Sequence, residues 1–511
     1  METWVIILFS ISISILLKFF FNNFLCSKKL PPGPLIFPII SNFLWFSTSM
    51  FKGESILRSL HAKFGPIVTL NIGARPVISM ADQNLCHQAL IRKCALYADR
   101  PEALPVDKII SSNQLAIVSS RYGPTWRLLR RNLTAEILNP SGVKSYSHAR
   151  EWVVQILQNR LESQAKSGRP VFVMEHFRYA MFCLLVLMCF GDKLDENQIK
   201  KIEEAEHQLL VNLHKFSILN FCPRVTKIVL RKRWEELFHL RKCQEDVLIP
   251  FIRERKKAKE KRLREPNMED SKDESVLSYV DTLLDLQLPD EKRKLNELEI
   301  VSLCSEFLSG GTDTTTTTLQ WIMANLVKYP QIQEKLFMEI KGVVRDGEEK
   351  IKEDDLKQIP YLKAIILEGL RRHPPLHFVF PHAVTEDVVV GDYVIPKEAA
   401  IVINAAEMGW DPKVWEDPMS FNPSRFLNKE TFDMTGRREI KMMPFGVGRR
   451  ICPGYALSML HLEYFVANLV SKYEWKAVDG DDVDLSEKQE FTMVMKNPLQ
   501  AQLSLRSKLN L

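Results

Sequence analysis

Apolar residues recur every three or four positions over several long stretches of the chain, a spacing that predicts α-helices. These stretches cover residues 152–161, 182–190, 300–326 and 457–470. Only two small β regions are predicted, a strand pair at 67–70 and 76–80 around Gly73, and a hairpin at 388–395 around Gly391. No internal repeat interrupts this pattern. The chain is therefore expected to be mainly helical, with small β-sheets.

The first apolar stretch, residues 4–21, is long enough to cross a membrane as a helix, which takes roughly 20 residues. The rival interpretation is a cleaved signal peptide, but the start lacks a basic segment and no small-residue cleavage site follows. Lys28 and Lys29 follow the span, and the positive-inside rule then leaves the rest of the chain in the cytosol. We therefore expect an uncleaved, single-pass anchor.

The segment Leu30-Pro31-Pro32-Gly33-Pro34 interrupts regular structure, because prolines fix the backbone and remove hydrogen-bond donors. No Gly/Ser-rich linker or break in composition divides the chain after it. The predicted organisation is an anchor over residues 1–26, a basic and Pro-rich hinge over 27–39, and one large domain over 40–511.

Composition narrows the function. With 46% hydrophobic and 26% charged residues the chain is not disordered, and a net charge of +6 is too modest for a nucleic-acid binding protein. The nine cysteines lack the paired short spacings of zinc or redox motifs. Most of them are expected to act as small core residues in a reducing compartment.

The strongest local signal for chemistry is the segment 445–454, Phe-Gly-Val-Gly-Arg-Arg-Ile-Cys-Pro-Gly, followed by an apolar-periodic helix. We expect Pro453 at the first helical position, which places Cys452 at the positive helix end and favours its thiolate. The three glycines let the backbone approach a flat cofactor, and Arg450 can pair with an acidic group on it. A haem meets these demands. A phosphate loop does not, because the Gly-Lys-Ser/Thr ending is missing.

The pattern of Phe445, Gly448, Arg450, Cys452 and Gly454 resembles the haem-ligand segment of the cytochrome P-450 superfamily, and the resemblance extends over essentially all 511 residues. It implies the cytochrome P-450 fold, a triangular, helix-rich body with a long central helix over the haem and a smaller β side. It further implies haem b with an axial thiolate from Cys452, a ligand that favours O–O cleavage.

Two further segments resemble contacts to the haem propionates. Trp126 and Arg130 lie four residues apart on one helical face and match the family helix that touches a propionate. His382, in Phe-Pro-His-Ala, resembles a second such contact, the alternative being a partly buried strand histidine.

Glu368 and Arg371 lie three residues apart on one helical face. Taken alone, such a pair is usually an exposed ion pair that contributes little to stability. The segment 421–426 resembles the family segment that adds Arg425 to this pair, although Ser424 stands where the family often has Glu. The resemblance implies a structural network of Glu368, Arg371 and Arg425.

The catalytic signal is Ser-Gly-Gly-Thr-Asp-Thr-Thr at 309–315, where glycine and threonine are poor choices for a helix interior. Gly310 and Gly311 are expected to leave room for dioxygen over the iron. By resemblance, Asp313 and Thr314 order water and relay protons, against the alternative of a merely Thr-rich helix.

The resemblance also implies where a substrate binds, and these positions are mostly apolar. Those expected in the pocket wall are Ile109, Ile110, Phe307, Gly310, Gly311, Val379, Phe380 and Met493. They suggest a small hydrophobic substrate held mainly by shape. Composition does not choose among terpenoid, phenylpropanoid, fatty acid, alkaloid and tetrapyrrole.

Segments 320–325 and 490–498 look most like plant members of the endoplasmic-reticulum type, in the group numbered eighty-nine. Because the chain has no flavin or nicotinamide domain, electrons from NADPH must come through an outside donor, the membrane-bound NADPH-cytochrome P-450 reductase. Basic residues expected to contact it on the cysteine side are Arg127, Arg131, Arg437, Arg438 and Lys441.

Three functions remain at this point: an oxygen-activating monooxygenase, a haem-thiolate isomerase or dehydratase, and a haem sensor. Asp313 and Thr314 favour the monooxygenase, because a sensor needs no proton relay. The predicted reaction is oxidation of a small hydrophobic plant metabolite by dioxygen at the endoplasmic reticulum membrane.

Overall fold

The computed structural model describes residues 30–34, 50–72, 75–264, 276–344, 350–397, 399–427, 432–478 and 482–506. Its α-helices are α1 Met50–Phe64, α2 Gln83–His87, α3 Pro105–Ile110, α4 Pro124–Asn132, α5 Pro140–Ser145, α6 Ser147–Lys166, α7 Val173–Phe190, α8 Glu196–Phe216, α9 Pro223–Val229, α10 Arg231–Arg264, α11 Tyr279–Leu283, α12 Glu297–Lys328, α13 Pro330–Val343, α14 Pro360–Arg372, α15 Ala405–Trp410 and α16 Tyr455–Lys472. Short π-helical turns follow α2 and α4, and 3₁₀ turns include Ser217–Asn220, Glu353–Gln358, Pro423–Phe426 and Gly448–Arg450.

The strands form small, separate sheets. They are β1 Ile67–Ile72, β2 Arg75–Met80, β3 Val171–Phe172, β4 His382–Ala383, β5 Val388–Val390, β6 Tyr393–Ile395, β7 Ala400–Ile403, β8 Tyr473–Ala477, β9 Glu487–Gln489, β10 Met493–Met495 and β11 Gln500–Leu505. The largest sheet has the order β1-β2-β7-β4, and a second has the order β3-β11-β8. Two hairpins, β5-β6 and β9-β10, complete the β structure.

Helix α12 is the axis around which the site is organised. It begins at a capping box, in which the Asn296 side chain accepts from the Glu299 N–H and the Glu299 carboxylate accepts from the Asn296 N–H. Leu303, Leu308 and Trp321 are fully buried along it, and α7, α10, α14 and α16 pack around it. Burial on most sides stabilises a helix whose glycines and threonines would otherwise disfavour it.

The described part of the hinge lies against the body. Residues 30–34 form neither helix nor strand, as the prolines predict. The carbonyl oxygen of Pro32 accepts from the Thr69 N–H at 2.9 Å, and that of Pro31 accepts from the Thr69 hydroxyl at 2.7 Å. A side chain at Gly33 would meet the carbonyl oxygen of Thr69 at 2.0 Å, so only glycine fits there.

The periodicity predictions for regular structure are confirmed. Each predicted helical stretch lies inside α6, α7, α12 or α16, and both strand pairs form antiparallel ladders. Gly391 closes the second hairpin with φ of 57°. The predicted Gly73 turn and the predicted anchor lie outside the described residues. Among the described helices, one is long and apolar enough to span a membrane, Val173–Phe190, and its window is 78% buried in the protein, as expected of a core helix.

Candidate active site

The cysteine segment forms a tight loop ahead of α16. The Cys452 N–H donates to the Phe445 carbonyl at 2.9 Å, which closes the loop. Gly448 has φ of 72°, and a side chain there would meet the Leu90 carbonyl oxygen at 2.0 Å. Gly448 is thus needed for backbone packing against the turn after α2. Gly454, by contrast, lies beside the sulfur, its Cβ position 3.8 Å from Cys452 Sγ.

One detail of the sequence prediction for this loop was wrong. Helix α16 begins at Tyr455 with Gly454 as its N-cap, so Pro453 is not the first helical residue. The Tyr455 N–H donates to the Cys452 carbonyl at 3.4 Å, forming a turn that precedes the helix. Burial raises the pKa of the Cys452 thiol, and the Gly454 N–H and the Arg130 charge oppose this only in part. A thiolate here therefore depends on the metal it would bind.

Helix α4 brings Trp126 and Arg130 to the same place. The Arg130 guanidinium lies 5.6 Å from the Trp126 ring centroid and donates to the Ile451 carbonyl, next to the cysteine, at 2.6 Å. Trp126 is buried, and its indole Nε1 has no hydrogen-bond partner among the described residues. An unpaired buried donor is costly, which indicates that an acceptor belongs beside it.

Two further arginines converge on this point. Arg450 stacks on Trp126 at 4.4 Å and donates to three carbonyl oxygens, of which Ala98 and Ser120 are the closest at 2.7 Å. Arg100 donates to the carbonyl oxygens of Val118, Phe380 and Pro381. Burial lowers the pKa of Arg450 to about 9 and that of Arg100 to about 10.

His382 lies on β4 at the edge of this group. Its Nδ1 is 2.7 Å from the Tyr97 carbonyl oxygen, which makes Nδ1 the protonated nitrogen. Burial lowers the pKa of His382 to about 3, with the Arg100 charge acting in the same direction. The neutral ring donates through Nδ1 to the Tyr97 carbonyl oxygen, so its Nε2 can only accept a hydrogen bond. The next residue, Ala98, accepts a hydrogen bond from Arg450.

These residues fit a haem. The group needs a soft axial ligand and cationic or N–H donors for two carboxylates, and the loop and its neighbours supply both. Among the described residues, the guanidinium groups of Arg100, Arg130 and Arg450 hydrogen-bond only to backbone carbonyl oxygens. Charges that carbonyl oxygens satisfy only in part are suited to propionates, as is the unpaired indole of Trp126.

One stripe of α12 contains Glu306, Gly310 and Thr314, each four residues after the last. A Cβ at Gly310 would meet nothing within 4 Å, so this face borders open space. Gly311 lies on the neighbouring face, where a Cβ would be 2.7 Å from Leu185 on α7. Its missing side chain therefore allows close helix packing, whereas that of Gly310 leaves room inside the site.

Asp313 lies on the side of the Gly310 stripe opposite to Gly311. It contacts a small cavity that is also lined by Arg178, His207 and Glu490. Burial raises the pKa of Asp313 to about 6, while Arg178 lowers it and Glu490 raises it. A carboxyl group with a pKa close to neutral can both take up and release a proton under physiological conditions. This geometry suits a proton carrier between the cavity and α12.

The structure brings the predicted network together. Arg371 donates two hydrogen bonds to the Glu368 carboxylate, at 2.7 and 2.8 Å, and both side chains are fully buried. Arg425 adds a bond to Glu368 at 3.2 Å, and the Asn422 N–H another at 2.8 Å. Arg371 also donates to the carbonyl oxygens of a segment that precedes the cysteine loop, Gly409, Pro418 and Ser420.

The residues predicted for the substrate pocket occupy different surroundings. Ile109 lines a cavity of about 210 Å³ whose other walls include Arg241 and Glu245, so this cavity is more polar than expected. Phe307 packs on Tyr279 of the core, with ring centroids 5.1 Å apart. Ile110 packs against the cluster around Trp234.

The three remaining pocket candidates belong to the β side. Val379 lies beside the cysteine loop, 3.4 Å from where a Gly446 Cβ would be, and Phe380 is 41% exposed. Met493 is buried on β10, and its carbonyl oxygen accepts from the Trp321 indole at 2.7 Å. This bond fixes hairpin β9-β10 against α12.

Three polar residues of the site were missed by sequence reasoning: Arg100, Glu306 and Glu206. The last is 2% exposed and accepts from Gln244 on α10 and from Ser305 and Ser309 on α12, which ties three helices together. A carboxylate within an apolar-periodic helix is the signal that could have found Glu306, whereas Arg100 and Glu206 carry no comparable signal in the sequence.

Comparison with known proteins agrees with this geometry. The sequence profile of the family described as Cytochrome P-450 matches residues 31–505. Cytochrome P-450 89A9 of Arabidopsis thaliana is 52% identical over 98% of each chain, and 5-epiaristolochene 1,3-dihydroxylase of Nicotiana tabacum is 30% identical over 96% of each. A solved zebrafish cytochrome P-450 structure with progesterone matches 89% of this chain and 99% of its own, with a TM-score of 0.73 at 19% identity.

Proposed function

Because the chain belongs to the cytochrome P-450 family and is thus a haem-thiolate monooxygenase, we propose that Cys452 is its iron ligand and that Asp313 and Thr314 deliver its protons. The observation that carries the ligand assignment is the loop in which the residue before Cys452, Ile451, accepts a hydrogen bond from Arg130, which packs on Trp126 and its unpaired indole donor. The enzyme uses dioxygen and electrons from NADPH, passed on by a reductase, to oxidise a small plant metabolite.

The haem, when bound, activates dioxygen, and the protein provides position and protons around it. Arg100, Arg130 and Arg450 offer donors to its propionates, with the Trp126 indole and His382 beside them. These groups orient the ring and, because they are buried, hold it in a site of low dielectric constant. Phe445 closes the loop by accepting from the Cys452 N–H.

Protons reach the site along α12 in this proposal. Asp313 exchanges a proton with the cavity that contains Arg178, His207 and Glu490, and passes it to water on the Gly310 face. The Thr314 hydroxyl donates to the Gly310 carbonyl oxygen, so its lone pairs are available to accept from that water. Water ordered beside Thr314 then holds the proton at the Gly310 face, where a bound haem would use it in activating dioxygen.

The ligand assignment is tested on the purified full-length protein. Cys452→Ser is expected to abolish the reduced carbon-monoxide band typical of thiolate-ligated haem, because a hydroxyl is a harder and poorer ligand. Cys94→Ser is the matched control, since Cys94 is a half-buried thiol beside Arg449 of the same loop. The Cys94 variant is expected to keep the band, and retention of the band in the Cys452 variant would exclude the assignment.

The monooxygenase reaction is separated from isomerase chemistry by its electron requirement. Product formation is expected to need NADPH and reductase, with one NADPH consumed per product in a coupled enzyme. Turnover without NADPH would instead favour the isomerase or dehydratase class. The substrate class follows from the family and from the apolar residues near Val379 and Met493, and a panel of plant metabolites titrated against the ferric enzyme would identify members of it.

We propose that the NADPH-cytochrome P-450 reductase docks on the cysteine side. Arg127 and Arg131 at the end of α4 are exposed there, as are Arg437 and Arg438 before the cysteine loop, with Lys441 half-buried beside them. Opposite charge would steer the acidic face of a donor to this surface. Reduction is expected to slow at high salt and in Arg127→Glu, but not in Lys488→Glu on β9, and a salt-independent rate would contradict this face.

We further propose that the protein is held at the endoplasmic reticulum membrane by its N-terminal segment and touches the bilayer with α9. Val225, Ile228 and Val229 on this helix are 57%, 81% and 72% exposed, with Lys227 between them and Arg224 directly before them. Apolar side chains interleaved with basic ones suit a lipid interface. In phospholipid nanodiscs, hydrogen exchange across 221–230 should be slower than in Ile228→Glu, and equal exchange would argue against this contact.

A further inference from the structure

The peptide unit around Ile117 and Val118, in the loop between α3 and α4, is bound on both sides by charged groups. Its two N–H groups donate to the Glu306 carboxylate, at 2.7 Å from Ile117 and 2.5 Å from Val118. Its carbonyl oxygens accept from Arg450 at 3.2 Å and from Arg100 at 2.8 Å. One carboxylate on α12 and two propionate-binding arginines thus hold the same two residues.

The loop that leads to this peptide is in a conformation that needs such support. Ser112, Asn113 and Gln114 have φ values of 47°, 57° and 68°, three consecutive non-glycine residues in the left-handed region. The central helix holds this segment at a second point, where the Ser112 hydroxyl lies 2.8 Å from that of Ser302, one turn before Glu306. Without these bonds the loop would relax towards commoner conformations.

Glu306 also faces the interior of the site. It shares the stripe of α12 that carries Gly310 and Thr314, and its side chain is half-buried. Its carboxylate therefore joins the helix face that borders this open space to the backbone of Ile117 and Val118. Burial raises the pKa of its carboxyl group to about 7, which indicates that the two N–H donors only partly compensate its desolvation.

We infer that Glu306 is a positioning residue that fixes the α3–α4 loop over the site and thereby limits the size of the ligands that reach the iron. The inference rests on the proposed function, in which substrates are oxidised at a haem iron held by Cys452. Glu306 needs no contact with the substrate for this role. Its effect passes through the amides of Ile117 and Val118.

The test compares full-length Glu306→Ala and Glu306→Gln with wild type, in two measurements. Hydrogen exchange of the peptides covering 112–121 is expected to accelerate about tenfold in the alanine variant, because both amides lose their acceptor, and less in the isosteric glutamine variant. Spectral titration with imidazole and with a bulky aryl-imidazole is expected to give a ratio of dissociation constants, bulky over small, about tenfold lower in Glu306→Ala. Should the alanine variant fail to fold, the glutamine variant carries the same comparison.

The control is Glu297→Gln, on the first turn of the same helix, where the carboxylate pairs with Arg253 at the surface. It should leave both measurements unchanged. Unchanged exchange in Glu306→Ala overturns the inference, and so does faster exchange with an unchanged ligand ratio, because the loop would then not select ligands. Failure of the proposed function is distinct: wild type would lack the thiolate carbon-monoxide band, whereas the exchange measurement needs no haem.

Discussion

The hydroxyl of Thr314 donates a hydrogen bond to the carbonyl oxygen of Gly310, 2.7 Å away and one turn earlier on α12. The hydroxyl is thereby oriented, with its lone pairs directed away from the helix backbone. It can receive a hydrogen bond from water but does not itself supply the proton in this arrangement. In the proposed relay, Thr314 therefore orders water and Asp313 is the group that carries the proton.

Replacing Thr314 by Ala should separate NADPH use from product formation. Alanine is a better helix former than threonine, so the helix and haem binding should persist. The water that the hydroxyl would order loses its acceptor, and oxygen is then released as hydrogen peroxide. We expect product per NADPH to fall roughly tenfold or more, measured by product and peroxide assays under reductase turnover.

Thr314→Ser is the control for that experiment, since it keeps the hydroxyl and removes only a methyl group. It should retain most of the coupling. Equal product per NADPH in the alanine variant and wild type would remove Thr314 from the relay.

Asp313→Asn should slow turnover on the order of a hundredfold, because a neutral amide cannot carry the proton. Haem content should stay normal. The pH profile provides a sharper test, since the pKa of Asp313 is raised to about 6 by burial and Glu490 contributes to the rise. Glu490→Gln should move the apparent pKa of coupled turnover down, and Arg178→Gln should move it up. Two shifts in the same direction would show that Asp313 is not the titrating group.

Arg371→Ala should destabilise the fold by about 3–5 kcal/mol, since it strands a fully buried carboxylate at Glu368. Urea unfolding and haem loading after expression would measure this loss. Arg425→Ala should cost less, because the Arg425 side chain is 13% exposed and its bond to Glu368 is longer. Normal haem loading of Arg371→Ala would contradict the structural role of the network.

Glu206 gives a prediction about stability and pH. Burial raises its pKa in the folded protein, so the folded state binds this proton more tightly than the unfolded chain does. The stability contributed by Glu206 is present at low pH and is lost as pH rises from the ordinary glutamate value to the raised one. Glu206→Gln removes this dependence, so the stability of wild type relative to the variant, measured as thermal midpoints, should fall over the interval in which pH rises above the ordinary pKa of glutamate. A rise over that interval would mean that the pKa is depressed.

The sequence was sufficient to predict those parts of the fold and site that depend on residues close together in the chain. Cys452, with its flanking glycines and Arg450, required a tight loop under a flat cofactor, and the helical periodicity of 300–326 required a buried helix. The Glu368 network also followed, because its three members occupy two recognisable segments. Each of these features is encoded by one or two short segments, and such short patterns can be recognised directly in the sequence.

The sequence did not show which way individual residues of a helix face. It also did not show which residues distant in the chain are in contact. Gly310 and Gly311 are adjacent residues of the same type, yet Gly310 borders open space and Gly311 packs on Leu185. Arg100 precedes a proline in a stretch without periodicity, and only the fold brings it to the carbonyl oxygens of Val118 and Phe380. The sequence also provided no measure of burial at Cys452, where desolvation raises the thiol pKa more than the Gly454 N–H and the Arg130 charge lower it.

Two hydrogen bonds join Thr69 of β1 to the carbonyl oxygens of Pro31 and Pro32. They fix the proline segment in one orientation relative to the catalytic domain. A body mounted this way on a membrane segment would keep a nearly constant tilt as it diffuses laterally. Its search for an electron donor in the same bilayer then takes place in two dimensions with the docking face already at a set height. Lengthening the chain before Pro31 should matter little to such encounters, whereas Thr69→Ala, which removes one of the two bonds, would widen the range of tilts and slow productive meetings without altering the haem site.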